Sequence, residues 1–408
     1  MLNLERQVVF SEQNWVAVDI FRATKPGSFQ TGIFNDQPYL ITNNNNNNNG
    51  KDSSDGGIKA FYNVCTHAGS CLVGPWTNNP TCRLTSELRL KKQQPLQQQH
   101  EQQQQQQQHY HYGELDEAQQ RRGMQCPYHG WQFNLDGKLI KTTQMKGIED
   151  FRNKNYDLRS IDMQVVGPIV YMKFQKATAN DMDGSMVASA EKDAHFRETV
   201  SLFEDRVEKN GFVRDFSDLQ FIDSCEYTVD CNWKVFVDNY GDGCYHCTYA
   251  HKDLSANIDE ASYFTDLLSP ELSVQHAPPK VEVATTRFGT DRPAIYAYMY
   301  PNIMYNRYGP WLDVDIVKPL TATTCSVIKA WFLERSFGDE WDAMQEFVDE
   351  SLKSSRVVHD EDVFLCENVQ TGMSSYGFDR GRYVPGKQIA TYHFHQRLAK
   401  DLRDALGL

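Results

Sequence analysis

Nowhere in the 408 residues is there an apolar run near the ~20 residues that span a bilayer. The longest, such as Val165 to Phe174, are far shorter, so a chain threaded through a membrane by helices is not expected. Basic residues are scarce relative to acidic ones: 41 Lys and Arg stand against 54 Asp and Glu, a net charge of −13. Nonspecific nucleic-acid binding needs clustered cations, and that class falls away. Met1 to Phe10 carries alternating charge and lacks the apolar centre of a secretory signal. A strand-like pattern begins at Val8 to Phe21, which leaves no room for an Arg-rich transit segment, and a cytoplasmic protein is expected. Without a signal, the ten cysteines are expected as reduced thiols and metal ligands rather than as disulfides. Hydrophobic residues at 40% are too many for a wholly disordered chain.

Two biased tracts interrupt what is there. Residues 43–49 are all Asn, and 93–108 are almost all Gln. Such polar tracts cannot bury enough apolar surface to fold, and solvated loop insertions at about 43–57 and 83–122 are expected, without a catalytic role. The rest suffices for two domains. In residues 1–164, Trp15 to Ile20, Pro38 to Thr42, Ile58 to Val64 and Trp131 to Phe133 read as short strands between Gly, Asn and Asp, an antiparallel β domain. Residues 165–408 read as α+β. Strands are expected at Lys280 to Phe288, Ala294 to Met299 and Thr324 to Phe332, and helices at Asp339 to Lys353 and His395 to Leu406. Trp341, Met344, Phe347, Val348 and Leu352 fall on one helical face.

The first chemical constellation is Cys65-Thr-His67, followed much later by Cys126-Pro-Tyr-His129-Gly-Trp131. Common zinc modules pair Cys with Cys and His with His along the chain. Here each short element supplies one Cys and one His. That suits a two-iron cluster in which one iron takes both thiolates and the other both imidazoles, the Rieske type, with structural zinc as the alternative. Gly69, Pro127 and Gly130 provide the turn chemistry for two tight loops.

The second lies in residues 232–251, where His246 and His251 are five apart. On a straight helix that spacing separates them by about 140°, so they can share a metal only if the helix ends or bulges between them. Two His plus a distant carboxylate make the facial triad of a mononuclear iron oxygenase. The acids at 360–362 are the candidates. Asp362 directly precedes Val-Phe-Leu, where the chain turns inward, whereas Asp360 and Glu361 read as solvated.

Taken together, these residues resemble the Rieske non-haem iron oxygenases, the ring-hydroxylating oxygenase alpha-subunit family. Cys65-Thr-His67 and Cys126-Pro-Tyr-His129-Gly-Trp are similar to its cluster loops, and Trp131 to Lys138 to the strand-turn-strand that follows. Ala68 stands where members often carry Arg, and the spacer is longer than usual by the Gln tract. Asn232-Trp-Lys … Asp238-Asn239-Tyr … Tyr245-His246-x4-His251 is similar to the iron-binding region, and Glu361-Asp362 … Leu365-Cys-Glu-Asn-Val-Gln370 to the third-ligand segment. The resemblance implies an N-terminal antiparallel β Rieske [2Fe-2S] domain held by Cys65, His67, Cys126 and His129. It implies a C-terminal α+β domain with a helix-grip type antiparallel sheet and mononuclear Fe(II) on His246, His251 and Asp362, with Asn239 among the catalytic residues. Members often carry an acid three residues before the first iron His, as an electron relay. Gly243 holds that place here, so the relay falls to Asp242, four before His246, or to Asp238.

Segments such as Asp242-Gly-Cys-Tyr-His, Asn306-Arg-Tyr-Gly-Pro-Trp311 and Gly381-Arg-Tyr-Val-Pro385 are more similar to members that oxidise choline and other quaternary amines than to aromatic-ring dioxygenases. This implies an oxidoreductase acting on choline with O₂ and electrons from a ferredoxin or flavin reductase, in a homotrimer. Carnitine, glycine betaine or an aromatic acid is the alternative substrate, and a non-enzymatic electron carrier the alternative function. A quaternary ammonium is recognised by aromatic faces. Alternation places Tyr296, Tyr298 and Tyr300 on one side of a strand, and Tyr298, Tyr300, Tyr305 and Trp311 are taken as substrate residues, against the reading that they pack in the core. The length leaves no room for a fused reductase, so a separate donor is expected. Arg121-Arg122 or Lys138 to Lys146 would supply a local basic surface for it.

Overall fold

The computed structural model describes residues 1–11, 13–44, 57–73, 111–116, 120, 122–149, 151, 156–175, 190–280, 292–337 and 341–408. The strand expected at Lys280 to Phe288 and most of both tracts lie outside them. So do Arg121 and the side chains of Trp341 and Met344.

The chain opens with α1 (Leu2–Val8) and β1 (Val16–Ile20). Eight short strands follow: β2 (Ser28–Phe34), β3 (Gln37–Asn43), β4 (Ile58–Tyr62), β5 (His111–Glu114), β6 (Met124–Gln125), β7 (Gln132–Phe133), β8 (Leu139–Lys141) and β9 (Ser160–Val166). Then come β10 (Ile169–Lys173), α2 (Ala190–Lys209), β11 (Leu219–Val229), α3 (Trp233–Tyr240), α4 (Cys247–Ala250) and α5 (Lys252–Ser255). A run of strands, β12 (Phe264–Ser269), β13 (Leu272–Ala277), β14 (Ala294–Met299), β15 (Ile303–Tyr308), β16 (Trp311–Pro319) and β17 (Cys325–Glu334), leads to α6 (Trp341–Met373) and α7 (Ile389–Leu406).

Two compact units form. The smaller holds Phe21–Gln164 and Phe174–Val187, the larger Met1–Ile20, Val165–Lys173 and Ala188–Leu408. A single division at 164/165 therefore misplaces the first twenty residues. The reason is packing within the larger unit. Glu5 of α1 accepts from Trp233 Nε1 at 2.9 Å and from Lys234 at 2.7 Å, Phe10 meets Trp233 edge to face, and β1 pairs with β10.

In the smaller unit, strands β9, β4, β3, β2 and β5 lie side by side in that order, all antiparallel, and β6-β7-β8 form a separate small sheet. The β2–β3 hairpin turns on Asn35-Asp36, both with positive φ, as a two-residue hairpin loop prefers. The insertion read as 83–122 is too wide, because β5 falls inside it. His111 to Glu114 supplies ladder hydrogen bonds to the edge of β2 in the register Thr31↔His111 to Ser28↔Glu114.

The larger unit is built on a seven-stranded antiparallel sheet in the order β11-β17-β16-β15-β14-β13-β12. Strands β15, β16 and β17 are buried at every position, so the middle of this sheet is covered on both faces and its inward polar residues must be paired. On one face α3 packs against α6 and α7. On the other, Phe203 of α2 stacks on Tyr305. α6 is 33 residues long, and Phe347, Val348 and Leu352 bring its buried stripe to the sheet.

Candidate metal centres and cavity

The two Cys/His loops of the smaller unit are built alike. In each, the Cys N–H donates to the carbonyl five residues on (Ser70, 2.7 Å; Trp131, 2.7 Å), and the Gly four residues on donates back to the Cys carbonyl (Gly69, 2.9 Å; Gly130, 3.0 Å). Closing the turn requires left-handed backbone, and Gly69 and Gly130 have φ of 75° and 74°. Cys65 and Cys126 are both 1% exposed, and their thiols bond to each other. That bond lowers the Cys126 thiol, helped by the backbone N–H groups of Tyr128 and His129, while it and burial push Cys65 up. The imidazoles of His67 and His129 meet at 4.6 Å between centroids, and His67 stacks on Trp131 at 4.6 Å.

The thiols thus pair with each other and the imidazoles with each other. Among the described residues, only His246, His251 and Asp362 bring three such donors within 4.8 Å of one another. The Cys/His tetrad accordingly offers two separate ligand pairs, which fits a two-iron cluster better than one tetrahedral ion.

In the larger unit, α4 is a single turn with His246 at its N-cap and His251 at its C-cap, and His251 leaves helical geometry (φ −112°, ψ 67°). The helix ends there, which cancels the angular mismatch of a five-residue spacing. The two Nε2 atoms lie 3.1 Å apart, and Asp362 Oδ1 is 3.1 Å from His251 Nε2 and 3.7 Å from His246 Nε2. Each ring donates its other nitrogen outward: His246 Nδ1 to Asp242 Oδ2 at 2.9 Å, His251 Nδ1 to Glu361 Oε2 at 2.7 Å. With the Nδ1 protons committed, both Nε2 atoms present lone pairs, and a carboxylate oxygen faces the same point. Three acceptors converging with no donor among them fit a cation. Asn239 donates to Asp362 Oδ1 at 2.7 Å and fixes that carboxylate. A proton on His251 Nε2 can take the place of that cation: its hydrogen bond and charge, with His246 and Asn239, then outweigh burial and hold the Asp362 carboxyl below the usual range.

The structure moves several expected roles. Glu361, read as solvated, is the partner of His251, while Asp360 is exposed. Asp242 meets His246 and also accepts from Gln388, whereas Asp238 pairs with His395 at 2.7 Å rather than with His246 or His251. Cys244 and Cys247 form a disulfide across His246, against the expectation of reduced thiols. The turn that leads into α4, with Cys244 at a φ of 57°, brings the two Cα atoms to 4.8 Å, within bridging range.

A cavity of about 140 Å³ opens beside the triad, the size class of a small organic molecule. Tyr240, Tyr263, Tyr296 and Tyr308 line it, and Tyr298, Tyr300, Tyr305 and Trp311 do not. Tyr298 does share a sheet face with Tyr296, but it packs on Phe394 of α7, as Tyr300 does. Tyr305 pairs with Ala297, not Tyr296, so it points to the opposite face and bonds Tyr171 at 2.5 Å. Trp311 sits in the core with Phe347. The polar lining of Asp313, Asp315 and Lys329 escaped the sequence reading. Its only signal was charge at alternate positions of an otherwise apolar strand.

A chain with a two-loop Cys/His site in one unit and a two-His, one-carboxylate site on a helix-covered antiparallel sheet in another carries the ligand sets of a two-centre iron protein. Comparisons with known proteins agree. Residues 216–404 match the ring hydroxylating alpha subunit (catalytic domain), and residues 99–152 match the Rieske [2Fe-2S] domain. The chloroplastic choline monooxygenase of Arabidopsis thaliana is 38% identical over 284 residues, 68% of this chain and 63% of that protein. The chloroplastic choline monooxygenase of Beta vulgaris is 30% identical over 378 residues, 91% of this chain and 68% of that one. A solved quaternary ammonium Rieske monooxygenase shares the fold at a TM-score of 0.68 and 19% identity, covering 98% of this chain and 91% of that one. The chain belongs to the Rieske non-haem iron oxygenases, the family of ring-hydroxylating alpha subunits. It spans 63% of the length of the Arabidopsis relative.

Proposed function

We propose that the protein oxidises choline to betaine aldehyde hydrate, using O₂ and two electrons from a separate ferredoxin or flavin reductase. The observation that carries this reading is a small cavity lined by tyrosines directly beside the His246, His251 and Asp362 triad, in a chain most of whose length aligns with choline monooxygenases. In this reading Cys65, His67, Cys126 and His129 hold the [2Fe-2S] cluster and the triad holds the mononuclear iron. When bound, the cluster supplies single electrons and the iron supplies O₂ activation.

The rest is work for the side chains. Asp242 and Glu361 keep both imidazoles in the tautomer that leaves Nε2 free, and Asn239 fixes Asp362. Tyr240, Tyr263, Tyr296 and Tyr308 displace water and offer ring faces, at ~0.5–2 kcal/mol per cation–π contact. The hydroxyls of Tyr240, Tyr263 and Tyr308 are bonded to Asn306, Gln275 and Asp313, so they do not compete as donors. Oxygen insertion at the alcohol carbon gives a gem-diol, which loses water to betaine aldehyde. We also place Asp242 on the electron path, through its bond to His246, and propose a homotrimer.

Oxygen uptake with reductase and choline, carnitine or glycine betaine tests the substrate. Choline-dependent uptake coupled one-to-one to aldehyde is expected. No uptake with choline, and tight coupling to another substrate, overturns it.

A further inference from the structure

Helix α6 turns one stripe toward the cavity. Ser355, Val358, His359 and Asp362 all line it, at the three- and four-residue spacing of a single helical face. Ser355 bonds Asp313, and Asp362 belongs to the triad. His359 has neither task. It is an imidazole standing three residues before Asp362, about 4.5 Å along the helix axis.

The surroundings of the ring decide which nitrogen carries its hydrogen. Nδ1 lies 3.1 Å from the Tyr227 hydroxyl of β11, and the two rings meet edge to face at 4.1 Å between centroids. That hydroxyl keeps its proton, because burial pushes the phenol well above its usual value. Among the described residues, Nδ1 is the only acceptor it has. So Tyr227 donates, Nδ1 accepts, and the ring hydrogen sits on Nε2. Burial, then the charge of Lys329, hold the imidazole below its usual range against Asp315, Asp360 and Asp362, so this N–H is uncharged.

Nε2–H has no acceptor among the described residues. Unlike the unpaired Trp311 Nε1, it is not sealed off, and it opens on the space that the ring lines. The neighbouring donors are engaged: the Tyr240, Tyr263 and Tyr308 hydroxyls and the Asn306 amide all donate to protein oxygens. A donor left open on a wall of bonded ones is matched by an oxygen of the ligand.

We infer that His359, held in one tautomer by Tyr227, is a positioning residue whose Nε2–H donates to the hydroxyl oxygen of the ligand. The bond keeps the carbon that bears this oxygen beside Asp362 and the two histidines. The inference rests on the reading that the substrate is an alcohol, and names what holds that alcohol. A hydroxyl oxygen accepts such a bond, whereas a quaternary ammonium has no lone pair to accept it. The two ends of the ligand are thereby told apart: its methyl groups meet the tyrosine faces and its oxygen meets His359. The reversed pose leaves Nε2–H unmet.

Calorimetric binding to the iron-loaded, cluster-containing protein without reductant tests this. The probes are choline and propyltrimethylammonium, in which a methyl group replaces the hydroxyl. The wild type is expected to prefer choline. His359→Phe keeps a flat ring without the N–H, and should lower the choline-to-propyl ratio about three- to tenfold. Its retained affinity for propyltrimethylammonium would show that the cavity has formed. His359→Gln carries an amide N–H at about the reach of Nε2, and should restore the ratio. Tyr227→Phe releases the tautomer, and should lower the ratio by less than His359→Phe does. With reductase present, a misplaced alcohol should leave His359→Phe consuming more O₂ than the aldehyde it forms. An unchanged ratio in His359→Phe overturns the inference, and so does a His359→Gln ratio no better than that of His359→Phe. If the variants do not fold, the wild type decides, and no preference for choline overturns the inference as well. The fate of the choline reading stays separate. If choline is not turned over but the ratio collapses in His359→Phe, the positioning role stands and only the substrate assignment fails. If choline is turned over and the ratio does not change, the positioning role alone fails.

Discussion

Two carboxylates outside the triad decide how well it can bind a metal. Glu361 and Asp242 each accept the outer N–H of one histidine, at 2.7 and 2.9 Å, and so set which nitrogen faces the ion. Partners of this kind typically cost 10–100-fold in metal affinity when lost. Glu361→Ala should therefore weaken iron binding by about 10–100-fold, read by titration against a competing chelator, with the visible spectrum of the cluster unchanged. Asp360→Ala is the control, since Asp360 is exposed and no bond ties it to either histidine. Equal affinities in the two variants would remove Glu361 from the site. Sequence alone pointed the other way on Glu361. Three acids in a row are indistinguishable by composition, and which one faces inward depends on where α6 lies against α4.

At the scale of the element, the segment between α3 and α4 carries the site, and Gly243 is its tightest point. Its φ is +69°, and a Cβ there would come within 2.3 Å of the Lys387 carbonyl. This accounts for the absence of an acid at that position and for Asp242 meeting His246 from four residues away. Gly243→Ala costs about 1–2 kcal/mol from the left-handed backbone alone, with the clash in addition. The melting temperature should fall and iron should be lost along with it. A variant of unchanged stability would show that the loop can relax away from Lys387. The elements also show what could be read ahead. Strands β1, β3, β4, β14 and β17 lie where apolar and β-branched runs placed them. β5 was hidden because four residues beside a Gln tract carry no periodic signal. The cavity tyrosines were misassigned because alternation gives the face of a strand but not how far along it a covering helix reaches. Tyr298 and Tyr296 share a face, yet only Tyr298 lies under Phe394.

At the scale of the whole molecule, the two proposed metal sites, of different chemistry, belong to two separately packed units. The four residues proposed for the cluster all fall within Phe21–Gln164, and the triad falls within Ala188–Leu408. Neither site draws a ligand from the other unit, so the two should load and fail independently. The intact protein is expected to bind three irons per chain, two in the cluster and one on the triad, whereas a simple electron carrier would hold two. His246→Ala removes one of three converging acceptors and leaves the smaller unit untouched. Iron per chain should drop from about three toward two. The cluster's visible spectrum and its reducibility by the donor should persist, and substrate-dependent oxygen uptake should vanish. Loss of the cluster spectrum in this variant would mean that the two units do not fold independently. Normal turnover would mean that the iron is held elsewhere. Iron quantitation beside the spectrum separates those outcomes, because the first removes the cluster signal with its iron and the second removes neither.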